Sequence, residues 1–232
     1  MSEGRNVHVL RVRPRKPRVA RAMAESRPMT LPLFQWPGAC PDLGIHARLL
    51  PGFALPVAEA LLCALVDLNA AAPFRHMTTP GNRRMSAAMT NCGAAGWVSD
   101  RRGCRYSALD PESGLPWPPM PECFGRLARE AAAAAGFADF APDACLMNRY
   151  EGDARLSLHQ DRDELPLAQP IVSVSLGQTA TFLWGGLTRN ARVQRVPVCH
   201  GDVVVWGGED RLRFHGVDAP LPGTHPATGA LR

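Results

Sequence analysis

The chain has 232 residues, 46% of them hydrophobic, and a formal net charge of +5, the scale of one large domain or one domain with an appendage. Its 21 Gly and 22 Pro make it turn-rich without reaching a disordered composition. Seven cysteines, odd in number, scattered and without a CxxC pair, argue against a zinc ribbon or a disulfide framework and fit reduced thiols in a cytoplasmic protein.

Taken in chain order, residues 1–28 hold eight of the Lys and Arg against two Glu. With several prolines and little periodicity, they are expected to form a disordered basic tail. Such a tail serves as a phosphate-binding arm or, if translation starts at Met29, as a passenger. Its arginines would also suit a transit peptide, against which Glu3, Glu25 and the prolines argue. No secretory signal follows the first basic residues. Residues 29–232 are expected to form a single domain. Residues 55–72 have the apolar spacing of a helix. The longest apolar segment, residues 53–68, contains Pro56, Glu59 and Asp67, so it reads as a partly buried helix and no membrane span is expected. Residues 121–136 give the clearest helix: Pro121 suits its first turn, the alanines propagate it and Gly136 suits its stop. Between the helices, residues 78–120 are rich in Gly, Pro and Arg and predict short strands and turns. Arg83, Arg84, Arg101, Arg102 and Arg105 there either hold phosphates or form a solvated face. After residue 141 the pattern becomes β. CLMNRY, RLSLH, PIVSVSLG, TATFLW, VQRVPV, DVVVWGG and LRFHGV are strand candidates punctuated by EGD, GG and GGE turns. The continuous VVVW at 203–206 predicts a strand buried on both faces. Helices followed by many short strands predict an α+β fold with a compact β-sandwich or barrel.

The most informative motif is LSLHQDRDE at 156–164, answered by RLRFHGV at 211–217. On a strand, residues i and i+2 share a face, which brings the His159 imidazole and the Asp161 carboxylate together. His215 supplies a second imidazole from a distant strand. Two His and one carboxylate, with open positions remaining, are the facial triad of non-heme Fe(II) oxygenases. The competing reading of so short a motif is a solvated strand end with a salt-bridged His. Asn148 and Tyr150 share a face just before the EGD turn, which predicts polar groups beside the metal on the neighbouring strand. GxGxxG, P-loop, GxSxG and HExxH patterns are absent, so Rossmann, hydrolase and zinc-peptidase chemistries lack their signatures.

Together, MTNCG at 89–93, DACLMNRY at 143–150, LSLHQDRDE, PIVSVSLG, the GGL–R segment at 185–189, HGDVVVWGGE at 200–209 and RFHGV resemble the AlkB family of Fe(II)/2-oxoglutarate-dependent nucleic-acid dealkylases, nearest the bacterial type. The resemblance runs from about residue 31 to the last residue. It implies a double-stranded β-helix (jelly-roll) core over about 141–232, with N-terminal helices and a nucleotide-recognition lid over about 78–120. It implies Fe(II) on His159, Asp161 and His215, with 2-oxoglutarate and O2 as co-substrates. Asn148, Tyr150 and Arg232 match co-substrate positions. Trp97 matches the aromatic that stacks on the target base, though a core tryptophan is the plainer reading. Asp163 and Arg189 match polar substrate contacts, and Cys104, where the bacterial type has tyrosine, and Tyr106 fall among the lid's phosphate contacts. The family continues past the position of Arg232 with a strand carrying an asparagine and a second arginine. From this the chain is expected to use 2-oxoglutarate poorly. The implied activity is oxidative demethylation of N1-methyladenine and N3-methylcytosine type lesions in DNA or RNA. The expected partners are single-stranded DNA or RNA and, at greater cost, duplex DNA, met by a monomer. The alternative is an impaired jelly-roll module that only binds single-stranded or alkylated nucleic acid.

Overall fold

The computed structural model describes residues 5–14, 42–162, 167–222 and 225. Strand β1 spans Arg5–Pro14, β2 Asp42–Gly44 and β3 Ala47–Leu50. Helix α1 spans Ala58–Ala71, entered through a 3-10 turn at Leu55–Val57 that accommodates Pro56. Then come β4 (Ala88–Gly93), β5 (Gly96–Asp100), β6 (Gly103–Ser107) and helix α2 (Glu122–Ala134). Seven strands follow: β7 Pro142–Glu151, β8 Leu156–His159, β9 Ile171–Leu176, β10 Ala180–Trp184, β11 Gln194–Val198, β12 Val203–Trp206 and β13 His215–Val217.

These strands build a seven-stranded sheet in the order β2-β3-β12-β9-β1-β7-β4 and a four-stranded sheet in the order β11-β10-β13-β8, with β5 and β6 a separate hairpin. All pairings are antiparallel. Two sheets of antiparallel strands facing across a common core are the expected jelly roll.

Side chains alternate across a strand, so each strand of the large sheet feeds two cores. Along β7, Leu146 and Tyr150 enter the core between the sheets, while Cys145 and Met147 enter the core beneath the helices. Along β12, Val204 and Trp206 face inward and Val203 and Val205 face the helices, which is why VVVW has no polar position. On α2, Phe124, Leu127, Ala128, Ala131 and Ala132 make one buried stripe at helical spacing. Burying each large aliphatic or aromatic side chain stabilises by about 1.5–3 kcal/mol, so both helices are held chiefly by the sheet's outer face. The helix ends near the expected Gly136, which takes φ +95°, a left-handed stop that suits glycine.

Two boundaries differ from expectation. The core sheet draws β2, β3 and β4 from before residue 141, because an inner strand of a wide sheet must be paired on both edges. Residues 5–14 are not a disordered tail: β1 lies in the middle of the large sheet, bonded to β7 and β9. Its arginines masked a strand composition, since Val7, Val9, Leu10 and Val12 lie among them. The rest of the basic segment lies outside the described residues.

Candidate metal centre and recognition hairpin

β13 runs between β10 and β8, and its register sets His215 directly opposite His159. Opposed residues share a face, and the two imidazole centroids stand 4.4 Å apart. β8 ends at His159, so Asp161 reaches the site from the loop beyond the strand and not from the strand itself. Its Oδ1 lies 3.3 Å from His159 Nε2 and its Oδ2 3.1 Å from His215 Nε2. The loop is fixed by Arg211, a guanidinium only 1% exposed. Arg211 donates from Nη1 to the Asp161 carbonyl at 3.0 Å and from Nε to the Gln169 carbonyl at 3.2 Å. Gln160 Nε2 donates to the Leu212 carbonyl, a second tie between the same two segments.

The imidazoles are prepared as ligands. His159 Nδ1 lies 2.8 Å from the Ser157 carbonyl and His215 Nδ1 3.0 Å from the Arg213 carbonyl. A carbonyl only accepts, so Nδ1 carries the proton in both rings and the Nε2 lone pairs face Asp161. Ligand atoms of the three residues lie within 4.8 Å of one another. Two lone pairs and a carboxylate converging in a largely buried place demand a cation between them. This nitrogen and oxygen set therefore fits Fe(II), with positions left over for exogenous ligands. His215 is fully buried, with Trp206 and Phe182 ring centroids 4.8 and 6.2 Å away. His159 is partly exposed, so the open side of the cluster is the His159 side.

Gly216 permits this closeness. A Cβ there would stand 2.5 Å from the Leu156 carbonyl oxygen, a clash with backbone that only separating β13 from β8 could relieve.

Asn148 and Tyr150 are both fully buried on β7, sharing a face as expected. They do not lie on the strand next to the triad, however. The turn at Gly152 carries the chain from one sheet to the other, so β7 and β8 face each other across the core instead of pairing. Asn148 Nδ2 and Oδ1 have no hydrogen-bond partner among the described residues. Ser173 and Ser175, on β9, are also buried. The wall opposite the triad thus offers polar groups.

β5 and β6 place Trp97 opposite Tyr106. Trp97 is half-buried and packs against the core between the sheets. Its backbone N–H and carbonyl are both held by the Asn91 side chain, at 2.9 and 3.0 Å, which fixes the hairpin to β4. Cys104 is exposed, with its Sγ 3.5 Å from Ser99 Oγ. Of the five lid arginines, Arg83, Arg84, Arg101 and Arg102 are exposed. Arg105 is committed elsewhere: its guanidinium takes both oxygens of Asp100 at 3.0 and 2.7 Å, and hydrogen bonds from Arg105 and the Arg102 backbone hold the Asp100 carboxyl at about 2. Arg75 anchors the following loop by gripping Asp110. Burial raises the Asp110 carboxyl, but the hydrogen bonds from Arg75 and from the Glu112 backbone outweigh it, leaving a net shift below the ordinary range. Arg189 is exposed at the rim near the triad, donating to the Leu158 carbonyl at 3.2 Å and lying over the Phe214 ring. Asp163 and Arg232 lie outside the described residues. The residue that sequence reasoning missed is Arg211, whose partners are 50 and 42 positions away.

A jelly roll carrying two histidines and one aspartate on adjoining segments is the architecture of non-heme Fe(II) oxygenases. Residues 46–232 match the family described as the 2OG-Fe(II) oxygenase superfamily. The chain is 53% identical over 186 residues to "Alpha-ketoglutarate-dependent dioxygenase AlkB" of Escherichia coli (strain K12), covering 80% of this chain and 86% of that protein. It is 40% identical over 104 residues to "Nucleic acid dioxygenase ALKBH1" of Homo sapiens, covering 45% of this chain and 27% of that protein. Among solved structures, "The structure of OsALKBH1" superposes with a TM-score of 0.72 at 28% identity, covering 83% of this chain and 94% of that one. The chain belongs to the 2OG-Fe(II) oxygenase superfamily and, within it, to the AlkB-type α-ketoglutarate-dependent dioxygenases, which use Fe(II), 2-oxoglutarate and O2.

Proposed function

We propose that the protein demethylates alkylated bases in nucleic acid, of the N1-methyladenine and N3-methylcytosine type. The observation that carries this reading is a metal triad walled by aromatics on the His215 side and open on the His159 side, combined with a hairpin that presents Trp97 and a group of exposed arginines. Bound at the triad, Fe(II) with O2 and 2-oxoglutarate supplies oxidation of an N-methyl C–H bond, 2-oxoglutarate leaving as succinate and CO2. The resulting N-hydroxymethyl group then leaves as formaldehyde and restores the base.

The residues around that chemistry have separate tasks. The Ser157 and Arg213 carbonyls hold both Nε2 atoms unprotonated, and Arg211 holds Asp161 in place. Trp97 offers a stacking surface for an unpaired base. Arg83, Arg84, Arg101 and Arg102 neutralise phosphates, and Arg189 contacts the substrate at the rim. Asp163 faces the cationic base and Cys104 and Tyr106 the lid's phosphates; Arg232 and Tyr150 join Asn148 in holding 2-oxoglutarate. Single-stranded DNA or RNA is the preferred substrate of a monomer, because no pairing is lost. In duplex DNA a methyl group on the pairing edge lowers the cost of extrusion. No helix among the described residues is long and apolar enough to cross a membrane, and the proposed location is the cytoplasm.

The test is succinate and formaldehyde release with single-stranded oligonucleotides carrying one N1-methyladenine or none. Formaldehyde should appear with the methylated strand only, in equal amount to the bases restored. Succinate release that is indifferent to the methyl group, without formaldehyde, would contradict the reading.

A further inference from the structure

2-Oxoglutarate is a dianion. Asp161 and two neutral imidazoles leave Fe(II) about one unit of positive charge, enough for the carboxylate that binds at the metal. The remote carboxylate needs a second cation if it is to leave water. Among the described residues with buried side chains, the one arginine or lysine is Arg211, and its Nε and Nη1 are given to the Gln169 and Asp161 carbonyls. On the facing wall, buried Asn148 has no hydrogen-bond partner among the described residues.

β1 runs along that wall. Its register places Asn6 opposite Tyr150, Val9 opposite Asn148 and Ser175, Arg11 opposite Leu146 and Ser173, and Arg13 opposite Ala144. Leu10 and Val12 pair with Met147 and Val174, and with Cys145 and Val172. Opposed residues share a face, and Leu146 and Tyr150 belong to the core between the sheets, whereas Met147 and Val174 belong to the helix-covered core. Asn6, Val9, Arg11 and Arg13 therefore hold positions on the interior face, and Leu10 and Val12 on the face beneath the helices. The sequence agrees with this division: aliphatics fall where the helices cover the sheet, and arginines where the wall is polar. An arginine at an interior position of a strand paired on both edges is costly unless an anion meets it. Arg11 is one same-face step, roughly 7 Å, from the row of Asn148 and Ser175, and Arg13 two steps.

We propose that β1 completes the co-substrate site, with Arg11 binding the carboxylate of 2-oxoglutarate remote from the metal, beside Asn148. The proposal rests on the reading of this site as a 2-oxoglutarate-dependent oxygenase. It makes the N-terminal segment part of the active centre, neither a passenger nor only an arm for phosphates.

The experiment uses the full chain loaded with Mn(II), and measures binding of 2-oxoglutarate and of 2-oxobutyrate, which lacks the remote carboxylate, by calorimetry. Arg11→Met should lower 2-oxoglutarate affinity by about thirty- to several-thousand-fold, as loss of one partner of a buried charge pair does. Affinities for Mn(II) and 2-oxobutyrate should be unchanged. In parallel, wild-type protein is labelled with phenylglyoxal and the modified arginines are mapped by mass spectrometry. 2-Oxoglutarate with Mn(II) should protect Arg11, a result that does not depend on the variant folding. Unchanged 2-oxoglutarate affinity in Arg11→Met, a parallel loss of all three ligands, or equal labelling of Arg11 with and without 2-oxoglutarate would overturn the proposal. Failure of the wild type to bind Mn(II) or 2-oxoglutarate at all would instead overturn the reading on which it rests.

Discussion

The triad and the recognition hairpin are built on opposite terms. At the triad every geometric freedom is removed. Each imidazole is tied through Nδ1 to a carbonyl two residues before it, Asp161 is clamped through its backbone by a buried arginine, and β13 approaches β8 so closely that only glycine fits at residue 216. On the hairpin the backbone is pinned at one point, where Asn91 holds Trp97, and the surface beyond is exposed arginine and ion pairs such as Arg105–Asp100. Exposed pairs of that kind contribute little to stability. The difference teaches where each task sits: bond-making chemistry needs ligands fixed to fractions of an ångström, whereas recognition of varied strands needs charge and a stacking face without a single imposed geometry.

Gly216→Ala should produce the larger effect, because it attacks the rigid region. Forcing β13 from β8 separates His215 from His159. Overpacking of this kind costs about 1–3 kcal/mol of stability, and metal affinity should fall on the order of 10–100-fold, as when the supports of a metal ligand are lost. Equilibrium dialysis of Fe(II) and thermal unfolding measure the two, and nucleic-acid affinity should barely move. A metal affinity equal to that of the wild type would show that the spacing of the two strands does not set the site.

Trp97→Ala attacks the other region and should be milder. Binding of a methylated oligonucleotide should weaken by about 1–3 kcal/mol, the usual worth of base–aromatic stacking. 2-Oxoglutarate affinity should stay put. If both fall together, Trp97 acts as the core tryptophan that its contacts with the interior cluster would also allow.

Much of the triad was legible in the sequence because its signal is local. His159 and Asp161 are adjacent in a pattern of period 2, and His215 stands in a second apolar strand. The helices were legible from Pro121, the alanine run and Gly136. What was not legible depended on pairing between distant segments. Nothing near Asn148 says that β7 and β8 lie in different sheets, since a short Gly152 turn more often joins paired strands. Arg211 follows an ordinary GGED turn, and only the folded loop brings it to Asp161. β1 was hidden by its charge. Arginines on alternate positions read as a solvated tail until both faces of the strand have been given neighbours, and the apolar Val9, Leu10 and Val12 were the signal available.

The central claim is that His159, Asp161 and His215 hold one Fe(II). Anaerobic equilibrium dialysis of wild type and Asp161→Ala, with circular dichroism to establish that both are folded, tests it most directly. The structure predicts one Fe(II) per chain in the wild type and none retained by Asp161→Ala, because two neutral imidazoles alone lack the charge to hold it. Full iron stoichiometry in a folded Asp161→Ala protein would contradict the assignment.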